Sequence, residues 1–242
     1  MNFATAVLTN VGGRKKNEDY AGYNYKPGQY GAWIVADGLG GHSAGEIASN
    51  TAVYSALKLF ERDSDFSEKN LENVILSAND MILMEQAADK KNNMCTTIVA
   101  LFTNTTEAMW AHVGDSRLYR FRNGNLLDQT NDHSVSQMAV YSGKITNDQI
   151  RFHEDRNKLL RALGTGRKQQ IEVHKPAEPI NPGDVYLLCT DGFWEYVYET
   201  EMEADLAIAA SPDEWLELMT KRLVQRVNGK HDNYTAIAVF AG

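Results

Sequence analysis

The stretch Trp33-Ile34-Val35-Ala36-Asp37-Gly38-Leu39-Gly40-Gly41-His42 joins an unbroken apolar run to a glycine-rich turn that opens with a carboxylate. The run reads as a buried strand from Tyr30 to Ala36, and beyond the turn helical spacing takes over from about Ala44 to Arg62. Ser43 is placed as the N-cap of that helix, with Glu46 completing a capping box. A glycine turn after a buried strand ordinarily suggests a loop that cradles phosphate. Here Asp37 would repel a bare phosphate, so the turn needs another explanation.

Working outward, Phe3 to Thr9 reads as a strand, and Leu71, Val74, Ile75, Ala78, Met81 and Ile82 mark a second helix from about Leu71 to Ala88. Strand signals follow at Thr97 to Phe102, Ala108 to Val113 and Leu118 to Phe121, with Asn123-Gly124 as a hairpin turn. The segment from Asp132 to Leu163 reads as short polar helices and predicts a flap-like insert. Strands return at Ile171 to Lys175 and, after the turn Pro182-Gly183-Asp184, at Val185 to Thr190. A last helix starts after Ser211, with Pro212 first and Glu214 at its third position, and ends near Gly229. Tyr234 to Phe240 closes the chain as an apolar strand. Strands and helices do not alternate steadily. That order argues against a doubly wound parallel sheet and for an α+β fold: antiparallel sheets with helices packed outside, in one domain spanning 1–242.

Bulk composition bounds the function. The 242 residues carry a net charge of −8, with 43% hydrophobic and 23% charged residues, as in an ordinary globular protein. No global basic field draws the chain to nucleic acid or anionic lipid. No apolar run approaches the roughly 20 residues of a membrane span, and the N-terminus lacks the pattern of a signal peptide. Cys95 and Cys189 read as buried free thiols in a reducing compartment, so a cytoplasmic protein is expected. With no apolar stripe left over, a monomer is expected.

Asp37 has company. Asp37-Gly38, Gly114-Asp115, Asp191-Gly192 and Asp232-Asn233 each lie beside an apolar strand, and Glu18-Asp19 follows Arg14 and Asn17. One Asp-Gly pair is more often a turn than a ligand; four at strand edges are harder to dismiss. Carboxylates gathered in a cleft take up protons unless divalent cations lie between them. Oxygen-only ligands favour Mg2+ or Mn2+ over zinc. Two such ions roughly 4 Å apart can share a carboxylate and activate water. Asp37 would then bind the metal that binds the phosphate.

These segments, in order, resemble the metal-dependent protein phosphatases of the 2C type in their compact bacterial form. The resemblance rests on Arg14-Lys15-Lys16-Asn17-Glu18-Asp19, Val35 to His42, Cys95-Thr96-Thr97, His112 to Arg117, Asp132-His133-Ser134, Cys189 to Gly192 and Asp232 to Thr235. It implies a four-layer αββα sandwich and hydrolysis of phosphoserine and phosphothreonine in proteins. It also implies two core Mn2+ or Mg2+ ions and a weaker third. By resemblance Asp37 bridges the two core ions, the Gly38 carbonyl and Glu18 join it, Asp191 and Asp232 hold one ion, and Asp115 helps hold the third. Asp19 orients the attacking water and Arg14 grips the phosphate. Leu39 stands where animal relatives carry a histidine, and Glu195 where an aspartate assists the third ion. Stand-alone bacterial relatives oppose a Ser/Thr kinase, so phosphoproteins are the expected partners.

The expected chemistry is in-line attack on phosphorus by a hydroxide held between the ions, without a phosphoenzyme. A pseudophosphatase that binds phosphoproteins without hydrolysis is the alternative, and loss of a core carboxylate would favour it; none is lost. A metal-dependent nuclease would need a basic groove beyond Arg14-Lys15-Lys16. Asp132-His133-Ser134 holds the letters of a hydrolase triad, but adjacent residues cannot adopt that geometry. His42, His112 and His133 read as lone, hydrogen-bonded histidines, His42 being the best placed to reach the site.

Overall fold

A computed structural model describes residues 1–40, 44–88, 93–166, 169–176 and 178–242. Its elements run β1 (Phe3–Asn10), β2 (Asp19–Lys26), β3 (Tyr30–Leu39), α1 (Ala44–Arg62), α2 (Glu68–Ala88), β4 (Cys95–Thr96), β5 (Ile98–Thr103), β6 (Ala108–Val113), β7 (Arg117–Arg122) and β8 (Asn125–Gln129). There follow α3 (Val135–Tyr141), a 3-10 helix (Asn147–Phe152), β9 (Glu172–His174), β10 (Val185–Cys189), α4 (Asp191–Trp194), α5 (Glu199–Leu206), α6 (Pro212–Arg226) and β11 (Tyr234–Ala241). One sheet has the order β1-β11-β10-β7-β8; the other runs β2-β3-β5-β6-β9, with β4 paired to β3. Every strand pair is antiparallel.

The apolar runs explain the layers. Trp33 and Val35 on β3, Val99 and Leu101 on β5, Tyr186 and Leu188 on β10, and Ile237 and Val239 on β11 fill the space between the sheets. Their neighbours Ala32, Ile34, Ala36, Ala100 and Phe102 face the other way, onto α1 and α2. Leu187, Cys189, Ala236 and Ala238 meet Trp215, Met219 and Leu223 of α6 on the opposite side. A strand buried on both faces has no polar alternation to show, which is why these segments read as continuous apolar runs. The result is the expected αββα sandwich.

Some local features differ from the sequence reading. The strand β2 went unread because it is a sheet edge whose residues, Tyr20 and Tyr23 among them, stay partly open to solvent. The segment after Asp132 forms a single α-helical stretch, α3, and one 3-10 helix, and the short buried helix α4 and the polar helix α5 carry no clear sequence signal. Cys95 is only half-buried, whereas Cys189 is fully buried. At α6 the Ser211 side chain accepts from Glu214 N–H (3.2 Å) as expected, but the Glu214 carboxylate accepts from Ala210 N–H (2.7 Å), one residue ahead of the cap. The N-cap assigned to Ser43 and the position of His42 lie outside the described residues.

Register sets the geometry of function. Within one sheet β3 and β6 run the same way, each antiparallel to β5, so Asp37 and Gly114 emerge at one end. In the other sheet Cys189 opposes both Arg117 and Ala236, which brings Asp115, Asp191 and Asp232 to a common end. In the β2–β3 pair Asp19 lies directly opposite Asp37.

Candidate metal centre

Arg14, Asp37, Gly38, Leu39, Asp115, Asp191, Asp232 and Asn233 line one cleft of about 210 Å3, closed on one side by Asn157 and Leu159. Next to it, Asp19 opens β2 opposite Asp37, and the preceding Glu18 accepts from Gly38 N–H through its carbonyl. The structure therefore brings together Arg14, Glu18, Asp19, Asp37, Gly38, Asp115, Asp191 and Asp232, while His42 lies outside the described residues. Arg14 lies on the rim and donates to Asp232 Oδ2 at 2.6 Å, both side chains being well exposed.

The backbone around Asp37 is held by hydroxyls. Its N–H donates to Thr97 Oγ1 (2.9 Å), and its carbonyl accepts from Thr96 Oγ1 (2.8 Å) and Thr97 N–H (2.9 Å). Gly38 N–H donates to the Glu18 carbonyl at 3.1 Å. A Cβ on Gly38 would fall 2.2 Å from the Gly45 carbonyl oxygen, and one on Gly45 would fall 2.7 Å from the Gly38 carbonyl oxygen and 3.0 Å from the Glu18 carboxyl carbon. The first turn of α1 thus packs on a backbone cradle that only glycines permit. Asp19 is buried and its Oδ2 accepts from Thr190 Oγ1 at 2.9 Å.

Electrostatics in the cleft point one way. Burial, then the charges of Asp19, Asp191 and Asp115, hold the Asp37 carboxyl well above the usual carboxylate range. Burial and Asp191 do the same for Asp115. Asp191 is raised by burial and Asp232, and Glu18 by the same two causes. Asp19 is pushed up to about 8 by burial, with the hydroxyls of Thr235 and Thr190 pulling against it. Without cations this clustering drives these groups toward taking up protons. Asp191 Oδ1 is buried with no hydrogen-bond partner among the described residues. An all-oxygen set with an orphaned carboxylate oxygen, clustered tightly enough to titrate upward, fits hard divalent cations.

Glu195, one turn beyond Asp191, is engaged elsewhere: its carboxylate pairs with Arg156 at 2.7 Å. Burial and Asp191 push it up to about 7. The triad letters separate as chemistry required. Asp132 forms a buried bidentate pair with Arg117 (2.8 and 2.8 Å), and Ser134 caps α3.

His112 and His133 are not lone histidines. Their rings stack at 4.5 Å between centroids, 14° from parallel, and His133 Nε2 lies 3.2 Å from Glu172. The three residues could be taken for a second metal cluster. Metal binds in the plane of an imidazole, and two stacked, near-parallel rings share no such point. His112 Nε2 meets the Asn131 carbonyl (2.8 Å), and Gly114 N–H donates to His133 Nδ1 (3.2 Å). The pair thus braces the turn that carries Asp115. Thr96, Thr97, Thr190 and Asn233 stand within the sequence motifs but are given no role there; polar residues set in otherwise apolar strand ends are the signal that marks them.

Comparison with known proteins agrees with this geometry. The family model "Protein phosphatase 2C" matches residues 12–232. The serine/threonine phosphatase Stp of Listeria monocytogenes is 33% identical over 237 residues, covering 93% of this chain and 90% of that one. The crystal structure of the Mycobacterium tuberculosis serine/threonine phosphatase PstP/Ppp superposes with a TM-score of 0.81 at 28% identity, covering 99% and 98% of the two chains. The catalytic domain of PstP solved with two manganese ions superposes with a TM-score of 0.79 at 27% identity, covering 98% and 97%. The two-sheet sandwich, the ordered acidic turns and these matches together place the chain in the protein phosphatase 2C family.

Proposed function

We infer that this protein serine/threonine phosphatase acts through the carboxylate cleft, removing phosphate from phosphoserine and phosphothreonine in proteins. The observation that carries this is the convergence of Asp37, Asp115, Asp191 and Asp232 with Arg14 on one cleft. Asp37, the Gly38 carbonyl, Glu18, Asp191 and Asp232 would hold two divalent cations, Mn2+ or Mg2+, and Asp115 a third. When bound, the cations supply charge neutralisation at the phosphoryl group and a lowered water pKa.

The chain's own residues do the rest. Among the described residues Arg14 contacts Asp232 through one guanidinium nitrogen, and its other donors would reach a phosphate at the rim. Asp19, oriented by Thr190, stands behind Asp37 to accept a proton from the attacking water. Leu39 offers no proton to a leaving alkoxide, so a second water serves as the acid. The 132–163 segment acts as a flap: Asn157 and Leu159 form one wall of the cleft. A pseudophosphatase is set aside, since every carboxylate it would have lost is present. The physiological substrates are those of a Ser/Thr kinase that this enzyme opposes.

The test is phosphate release from a phosphothreonine peptide with Mn2+, beside EDTA and Asp37→Asn. Release abolished by both supports the assignment. Release that survives Asp37→Asn would sink it.

A further inference from the structure

Asn233 is a residue to which no role has been given. It lies immediately before β11, next to Asp232, and is only 5% exposed. Its side chain makes three hydrogen bonds to the N-terminal loop. Oδ1 accepts from Glu18 N–H at 2.8 Å; Nδ2 donates to the Val11 carbonyl at 2.7 Å and to the Lys16 carbonyl at 2.8 Å. One amide thus spans both ends of the loop that carries Arg14 and Glu18.

The packing around it is equally close. Gly13 N–H donates to the His231 carbonyl at 3.0 Å. A Cβ on Gly12, which adopts φ +59°, would lie 2.1 Å from the Asp232 carbonyl oxygen, and one on Gly13 would lie 2.3 Å from that of Gly229. On the other side, a Cβ on Gly192 would lie 2.0 Å from the Asn233 carbonyl oxygen, so the first turn of α4, which begins at Asp191, rests on Asn233 as well. Loop 11–18, the 229–233 loop and the start of α4 are three separate pieces of chain, and Asn233 touches all three.

We propose that Asn233 is a positioning residue that fixes Glu18 and Arg14 relative to Asp232 and Asp191, so that metal affinity and phosphate affinity are set by one side-chain amide. The proposal rests on the two-cation reading above. The chemistry requires an amide: a carboxylate would turn lone pairs toward the Val11 and Lys16 carbonyls, and a hydroxyl could satisfy only part of the set. Outer-shell partners that orient a metal ligand typically account for about 10–100-fold in metal affinity.

The experiment compares wild type with Asn233→Ala. Metal-free protein is titrated with Mn2+ by calorimetry, and KM and kcat for a phosphothreonine peptide are measured at saturating Mn2+. Asn79→Ala is the control for loss of a buried amide, since Asn79 on α2 accepts from Gly164 N–H at 2.9 Å. The expected result is Mn2+ binding weakened about tenfold or more, a KM raised in parallel, and kcat changed far less; Asn79→Ala loses only thermal stability. Gly13→Ala, which wedges the same loop from its other end, shows the same Mn2+ and KM pattern and carries the test if Asn233→Ala does not fold. Mn2+ affinity and KM within twofold of wild type in a folded variant overturn the proposal. A wild-type chain that binds no Mn2+ overturns the two-cation reading and this proposal with it, an outcome distinct from an unaffected variant.

Discussion

The carboxylate cluster should make the metal-free protein lose stability as pH rises through neutrality. A carboxyl whose pKa is raised by folding holds a proton that the unfolded chain has already released. Its contribution is full below the unfolded pKa near 4 and is lost as pH climbs through the folded value. Asp19 titrates at about 8, and Asp37 and Asp115 lie well above the carboxylate range because of burial and their neighbours. Each such group costs about 1.4 kcal/mol per pH unit while it remains protonated only in the fold. His112, pushed down to about 4 by burial and by His133, works in the opposite direction but mainly below roughly 6.5. Between pH 6.5 and 7.5 it adds back only roughly 0.3 kcal/mol, and the carboxyls dominate. Asp19 by itself then removes about 1.4 kcal/mol, or roughly 3–6 °C of Tm for a chain of this size; Asp37 and Asp115 enlarge the drop. Differential scanning calorimetry of EDTA-treated, dialysed protein at the two pH values measures it. Saturating Mn2+ replaces the protons, so the slope collapses and the stabilisation by Mn2+ is larger at pH 7.5. Metal-free Asp37→Asn, whose amide never ionises, melts above wild type at pH 7.5 although it has lost activity. A metal-free Tm that is flat or rises across this window would refute the reasoning.

Three further outcomes follow from other parts of the molecule. Arg14→Ala should raise KM for a phosphopeptide roughly 10–100-fold through loss of charge-assisted hydrogen bonds, with the circular dichroism spectrum unchanged. Asp132→Ala removes the bidentate partner of the buried Arg117 guanidinium, leaving it the Tyr119 hydroxyl at 3.2 Å, Glu199 at 3.7 Å and the Trp194 ring at 3.5 Å, and should cost about 3 kcal/mol in urea unfolding. Trp33→Ala empties the centre of the inter-sheet layer, where Trp33 stacks with Tyr25 and meets Phe3 edge-on, and should cost about 3–5 kcal/mol by the same assay.

Much of the sandwich was legible because its central strands are apolar on both faces. The runs Tyr30 to Ala36 and Tyr234 to Phe240 could be read from composition alone, although β3 continues to Leu39 through residues that read as a turn, and the two long helices could be read from their periodicity. The edge strand β2 was not, since Asp19–Lys26 alternates tyrosines with small and polar residues that need a neighbour to acquire a face. The stretch from Asp132 to Leu163 is ordered by contacts with distant residues rather than by local propensity. Ser134 bridges to Leu159, Leu163 to Thr96, and Arg156 to Glu195. No pattern within the segment encodes those partners.

The candidate ligands were legible for a different reason, and their supports were not. An aspartate beside glycine at the end of an apolar run is visible in one dimension. Its convergence with others follows only from register, because Cys189 opposes Arg117 and Ala236 while Asp19 opposes Asp37. The supporting groups Thr96, Thr97, Thr190 and Asn233 are ordinary polar residues until the partner atoms are placed. Each then satisfies a backbone or carboxylate group at a cleft residue or next to one, within hydrogen-bond distance. A cluster of like charges is unfavourable in isolation, and the rigid strand ends and short hydroxyl and amide contacts hold it together until cations arrive. On the two-cation reading proposed above, the cleft would trade stability of the metal-free chain for affinity toward the ions, which is why Asp37→Asn should stabilise one state and abolish the activity of the other.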